Sequence, residues 1–112
     1  MTTLRIAAQA AAICLIAGAL AWGAVTGKVA GTVTDPSGAG IPMVAIKMTN
    51  TAQGLELKVT ADEHGDFIFP SVPVGTYDIL YEAKGFRSEK RTALVVDTNA
   101  DIQQNMTLQV AE

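Results

Sequence analysis

A chain of 112 residues has room for one domain, and a single Cys and a single His exclude a disulfide framework and a Cys/His zinc site. Eight basic against 11 acidic residues give a net charge of −3. That balance lacks the basic footprint of nucleic-acid binding and the polybasic patch that anionic lipid attracts.

The first segment stands apart from the rest. Met1 to Arg5 carries one positive charge, and Ile6 to Gly27 then runs 22 residues without any. Ala19-Leu20-Ala21 is a small-x-small site of the kind signal peptidase accepts, and Ala21-Trp22-Gly23 supplies a second. Residues 1–21 are therefore expected to be an export signal. The rival reading is an anchor that is never removed. A spanning helix wants about 20 apolar residues, and this run reaches that length only by including Trp22 to Gly27. A lipid anchor on Cys14 is disfavoured, because Ile13 precedes it where a small residue is usual. Cutting after Ala21 leaves 91 residues with 7 basic and 11 acidic side chains, a net charge of −4. The expected location is outside the cytoplasm: periplasm, outer membrane-associated or extracellular. Membrane contact is expected only through the N-terminal segment, if it stays attached.

The remainder alternates with period two, the pattern of half-buried strands. Val29 to Thr34 comes first, then the turn Asp35-Pro36-Ser37-Gly38, with Asp, Pro and Gly at the places a type I turn prefers. Val44, Ile46 and Met48 face inward, with Ala45, Lys47 and Thr49 outward. Leu55, Leu57, Val59 and Ala61 form the next inward stripe. Asp62-Glu63-His64-Gly65 reads as a turn into a strand from Asp66 to Phe69. Pro70 and Pro73 remove two backbone donors, so their stretch must be a loop or an edge. Tyr77, Ile79, Tyr81 and Ala83 make a further stripe, with Leu80 on the opposite face. Arg87 to Val96 is the sixth strand. The seventh runs from Ile102 through Met106 and Leu108 to Val110, broken at Gln104. Short strands with turn signals between them imply one β-sandwich or barrel over about residues 25–110.

Several of these segments resemble one family. Gly31-Thr32-Val33-Thr34-Asp35-Pro36-Ser37-Gly38 looks like the opening strand and turn of the carboxypeptidase regulatory-like domains. Ile41-Pro42 and Thr49-Asn50-Thr51 resemble the entry to and exit from their second strand. Thr60 to Phe67 resembles their T-x-D-x-x-G-x-[FY] turn. Phe69 to Tyr77 resembles F-x-x-[LV]-P-x-G-x-Y, and Ala83-Lys84-Gly85-Phe86 resembles A-x-G-[FY]. Met43 and Val44 depart from the family's usual Gly-Ala. The resemblance implies a seven-stranded antiparallel β-sandwich of Greek-key, transthyretin-like or carbohydrate-binding-like fold. It also implies a non-catalytic role in the bacterial envelope, where such domains accompany catalytic domains or precede the plug and barrel of TonB-dependent receptors. The chain ends at Glu112, just after the last predicted strand, so a stand-alone module or a truncated relative is expected.

The candidate sites are few. His64 is the only His and sits at a turn tip, so it has no orienting partner beyond its neighbours Asp62 and Glu63. Ser37, Ser71 and Ser88 lack a G-x-S-x-G context, and one His cannot supply the ligand pair of a zinc peptidase. No enzyme and no cofactor are expected. Asp62, Glu63 and Asp66 could collect Ca²⁺ with Asp35 or Asp97, although Pro73 stands where an EF-hand needs Glu. Turn-forming acids are the ordinary reading, and no metal is expected. Sugar binding wants exposed aromatic faces. Trp22 lies outside the folded body, and Phe86 is the one ring expected at the surface. The expected partners are an envelope protein or a polysaccharide, and no nucleic acid. The residues singled out for contact are Asp62, Glu63, His64, Asp66 and Phe86. Asn105-Met106-Thr107 matches an N-glycosylation acceptor, a coincidence on a bacterial-looking chain.

Overall fold

The computed structural model describes residues 25–111. The export-signal, anchor and Cys14 readings fall on segment 1–24, outside the described residues. Eight strands follow: β1 (Thr26–Thr34), β2 (Ala45–Asn50), β3 (Leu55–Thr60), β4 (Asp66–Pro73), β5 (Gly75–Glu82), β6 (Glu89–Val96), β7 (Asp101–Gln103) and β8 (Met106–Thr107). They form two sheets, one ordered β4-β1-β7 with β8 also on β1, the other β3-β2-β5-β6.

The two inner faces are those the alternation predicts. Val29 and Val33 of β1 meet Ile46 and Met48 of β2, Phe67, Phe69 and Val72 of β4, and Tyr77, Ile79 and Tyr81 of β5. Leu55, Leu57 and Val59 of β3 are half-buried at the margin of this core. Phe67 sits edge-on to Phe69 and to Tyr81, at centroid distances of 6.2 and 6.0 Å. Fully burying one such apolar side chain contributes about 1.5–3 kcal/mol, whereas an exposed ion pair gives about 0–1 kcal/mol. The three ion pairs among the described residues are all exposed or half-exposed. The core therefore holds the sandwich, and the ion pairs decorate it.

Pro70 and Pro73 lie on β4, which is an edge strand, so their missing N–H groups leave no ladder bond unmade. The turn after β1 forms as its composition predicts. Gly38 N–H donates to the Asp35 carbonyl at 3.0 Å, and the Asp35 carboxylate accepts from Ser37 N–H, Ser37 hydroxyl and Ala39 N–H.

The C-terminal third departs from expectation in three ways. Among the described residues there are eight strands, not seven, because the stretch from Ile102 to Val110 breaks at Gln104 and Asn105. Gly31 points into the core and has no side chain. The Gln104 backbone fills that space: its carbonyl sits where a Cβ on Gly31 would be, and its N–H donates to the Ala30 carbonyl at 2.7 Å. Drawing the chain inward there ends β7 and buries Gln104. The pairing is also not antiparallel throughout, since β7 and β8 run parallel to β1. The link 97–100 is the cause. It leaves β6 beside the start of β1, where Asn99 N–H donates to the Thr26 carbonyl, so the next strand must travel the same way as β1. Finally, Val110 is exposed rather than inward, held only by a bridge to Phe86.

Met43 adopts φ 60°, the left-handed region that disfavours residues with a Cβ, and its side chain is 71% exposed. It has no core contact to lose. Met43→Gly is expected to stabilise the fold by about 0.5–1 kcal/mol, read as a rise in the urea midpoint at unchanged m-value. A fall in the midpoint would mean that the methionine side chain makes a stabilising contact.

Candidate functional site

The sandwich has two poles. Registers β1/β4, β2/β3 and β2/β5 place Thr34, Thr60, Asp66 and Glu82 at one of them. Val25, the 51–54 turn, Val74 and the 97–100 link lie at the other. Asp62, Glu63, His64 and Asp66 thus share a pole with Asp35 and Phe86. Asp97 sits at the opposite pole, which removes it from any calcium site built on Asp62. Among the described residues, no three His, Cys, Asp or Glu side chains gather as metal ligands.

The acids at the first pole are occupied by their own hairpin. The Asp62 carboxylate accepts from His64 N–H at 2.8 Å and Asp66 N–H at 3.0 Å. The Asp66 carboxylate accepts from the Thr32 hydroxyl at 2.6 Å, tying β4 to β1. Gly65, at φ 81°, fits against the Val33 carbonyl and Ile41 N–H, where a Cβ would collide. The hairpin is thereby clamped onto the loop after β1. The Glu63 and His64 side chains face solvent.

Phe86 is a correction. It is half-buried against the core rather than displayed, because Ala111 N–H donates to the Gly85 carbonyl and Arg87 N–H to the Gln109 carbonyl, closing the C-terminal segment over it. Those bonds fix the backbone on both sides of the ring. The Phe86 ring is part-buried and part-exposed.

The acid loops carry a pH signature. Backbone N–H groups, first that of Asp66 and then that of His64, hold the Asp62 carboxyl below the usual carboxylate range. The Ser37 hydroxyl, with the backbone of Ala39, Ser37 and Gly38, does the same for Asp35. A carboxyl depressed in the folded state stabilises fully above its unfolded value of about 3.9, and that contribution is lost as pH falls through the folded value. The melting temperature is therefore expected to drop below about pH 4. Asp62→Asn keeps an acceptor oxygen but does not titrate, so its profile should be shallower across that range. An unchanged acid limb would show that other carboxyls carry it.

The sequence reading did not single out a depression at the second pole. A cavity of about 510 Å³ is lined by Thr49, Asn50, Thr51, Gln53, Thr76 and Asp78, with Thr92 and Ala93 completing the wall. Asn50 is buried, and its amide is fixed by Gln53, donating to the side-chain oxygen and accepting from the backbone N–H, both at 3.2 Å. Gly75 lies against the Asn50 amide nitrogen, 2.5 Å from where a Cβ would stand. Ala93 has φ 59° at a bulge in the β5/β6 ladder. Thr49-Asn50-Thr51 was legible as a strand exit. The bulge that brings Thr92 alongside left no mark in the composition.

A family comparison covers the same part of the chain as the sandwich. The model of the carboxypeptidase regulatory-like domain matches residues 28–109. The chain belongs to the carboxypeptidase regulatory-like domain family. No curated protein sequence matches it significantly. Among solved structures, the Bacillus anthracis TIE protein is similar at 24% identity and TM-score 0.64, over 78% of this chain and 18% of that one. A "putative carbohydrate binding protein" from Bacteroides uniformis is similar at 17% identity and TM-score 0.61, over 73% of this chain and 40% of that one. The 3-chlorocatechol 1,2-dioxygenase of Rhodococcus opacus gives 14% identity and TM-score 0.65, over 80% and 61%. The carboxypeptidase regulatory-like chain thus spans less than two thirds of each of these proteins. At such identities the likeness is one of fold, and a dioxygenase among them lends it no dioxygenase chemistry.

Proposed function

We propose that this chain is a non-catalytic exported domain of the bacterial cell envelope that binds or spaces other components. The observation that carries the reading is the use made of its polar groups. Asp35, Asp62 and Asp66 are spent on turns and strand ties, and the lone His64 stands in solvent without a nucleophile to activate. Membership of a regulatory-like domain family points the same way. Glu63 and His64, exposed at the clamped hairpin tip, are the groups there that a partner can reach. Fractionation followed by mass spectrometry of the N-terminus tests the compartment: an envelope protein lacking about 21 residues is expected. An intact N-terminus in the cytosol would sink the proposal.

A second reading, carbohydrate binding, rests on the depression beside Asn50, where the hydroxyls of Thr49, Thr51, Thr76 and Thr92 line a concave surface that suits a polyol. Phe86 lies at the opposite pole, half-buried, and takes no part in this depression. A glycan array with the wild-type chain and the Thr76→Val variant separates the two. Saturable binding weakened by the substitution supports the sugar site, and no binding to any glycan leaves the scaffold reading.

A further inference from the structure

The sandwich has four strand edges, and three are blunted against pairing. On β4, Pro70 and Pro73 have no N–H to offer. Ala93, at φ 59°, puts a bulge into β6, whose flank also carries Lys90 and Arg91. The second edge of the β4 sheet is split between β7, three residues long, and β8, two. The fourth, β3, has neither proline nor bulge, and its charges Glu56 and Lys58 are of opposite sign. Its six residues pair with β2 from Asn50↔Leu55 to Ala45↔Thr60 without a register shift. Its other side has no strand neighbour, and the hydrogen bonds outside the ladders include none from Leu55–Thr60. Its inward residues Leu55, Leu57 and Val59 are only half-covered.

The sequence of β3, Leu55-Glu56-Leu57-Lys58-Val59-Thr60, is complementary to itself. Two copies running antiparallel with Leu57 opposite Leu57 bring Glu56 opposite Lys58 twice, once on each side of the two-fold axis. Leu55 then faces Val59, also twice. A shift of two residues either way sets Glu56 against Glu56 or Lys58 against Lys58. A shift of one residue puts leucines opposite charges. One register therefore satisfies both faces of the strand, and opposite charges directly across a ladder attract while like charges repel. In the single chain Glu56 and Lys58 pair with each other at 3.0 Å on the exposed face, with side chains 45% and 71% exposed, so both are free to exchange partners.

We propose that the β3 edge is a homodimer interface, joining two four-stranded sheets into one of eight strands about a two-fold axis at Leu57. The partner is a second copy of this chain, and the interface is isologous. The dimer forms through one sheet only, because the prolines of β4 deny the other sheet a ladder. This inference does not depend on the proposed function.

Charge exchange tests it. Sedimentation equilibrium of the full-length chain across a concentration series is expected to show a reversible monomer–dimer equilibrium. Lys58→Glu gives two acids per strand and Glu56→Lys gives two bases, and each is expected to weaken dimerisation about tenfold or more at low salt. The double variant Glu56→Lys/Lys58→Glu restores the pairing with its signs reversed and should regain wild-type dimerisation. Mixing the two single variants should yield a heterodimer tighter than either homodimer. Both side chains are exposed, so all variants should keep the wild-type circular dichroism spectrum. A chain that stays monomeric overturns the proposal. So does a dimer indifferent to both single substitutions, or one that the double exchange fails to restore.

Discussion

Tyr81→Ala should remove about 3–5 kcal/mol of stability, the range for truncating a fully buried aromatic ring. The ring has no exposed surface and stands edge-on to Phe67 at 6.0 Å. Its loss would open a cavity between the sheets, bordered by Ile46 across the β2/β5 ladder and by β4. The hydroxyl has a separate role. It is buried, has no hydrogen-bond partner among the described residues, and burial pushes its pKa up to about 12. An unpartnered buried hydroxyl opposes folding by about 1–3 kcal/mol. Tyr81→Phe should therefore be neutral or stabilising while Tyr81→Ala is severe. Chemical denaturation of the pair reads the difference. Equal losses for both would mean that the hydroxyl is bonded after all, and a loss under 1 kcal/mol for the alanine would mean that the neighbours collapse into the space.

Gly31→Ala is the second large effect. Residue 31 faces inward on β1, and an added Cβ would collide with the Gln104 carbonyl and stand 3.0 Å from the Phe67 ring. The carbonyl belongs to backbone, so relief requires moving the link between β7 and β8. Overpacking of this kind typically costs about 1–3 kcal/mol and more where backbone must shift; about 3 kcal/mol is expected here. Hydrogen exchange should show faster exchange of the Gln104 and Leu108 amides, which donate to Ala30 and Thr34. Wild-type stability would mean that the C-terminal strands do not press on β1.

How much of this was legible in advance divides by mechanism. The inner faces of β2, β3 and β5 follow from period-two alternation, because a half-buried strand cannot hide its pattern. The Asp35 and Asp62 turns were legible because Asp, Pro and Gly act locally, through their own backbone. The alternation marks a break at Gln104, but not that the chain turns inward there and divides the strand in two. That inward turn depends on Gly31, some seventy residues away, leaving a gap that another stretch of backbone fills. The parallel seam was hidden for a similar reason, since alternation records which face is buried and not the direction of the neighbour. Phe86 was misread because its cover comes from the C-terminal segment by backbone bonds that any sequence can make. The depression beside Asn50 depends on a bulge at Ala93, a residue with no preference for positive φ.

The parallel seam also bears on tension. β1 begins at one pole with Thr26, and β8 ends at the other with Thr107. Pulling on those two points draws neighbouring parallel strands in opposite directions along their own length. The evenly spaced bonds between them are then strained together rather than opened one after another. A load passing along this domain meets a shear clamp, whereas a load applied across β3 and β6 would peel its strands singly. Under force, resistance is set by the rate of unfolding and not by equilibrium stability. The short seam of β7 and β8 against β1 can thus govern how long the sandwich endures a pull.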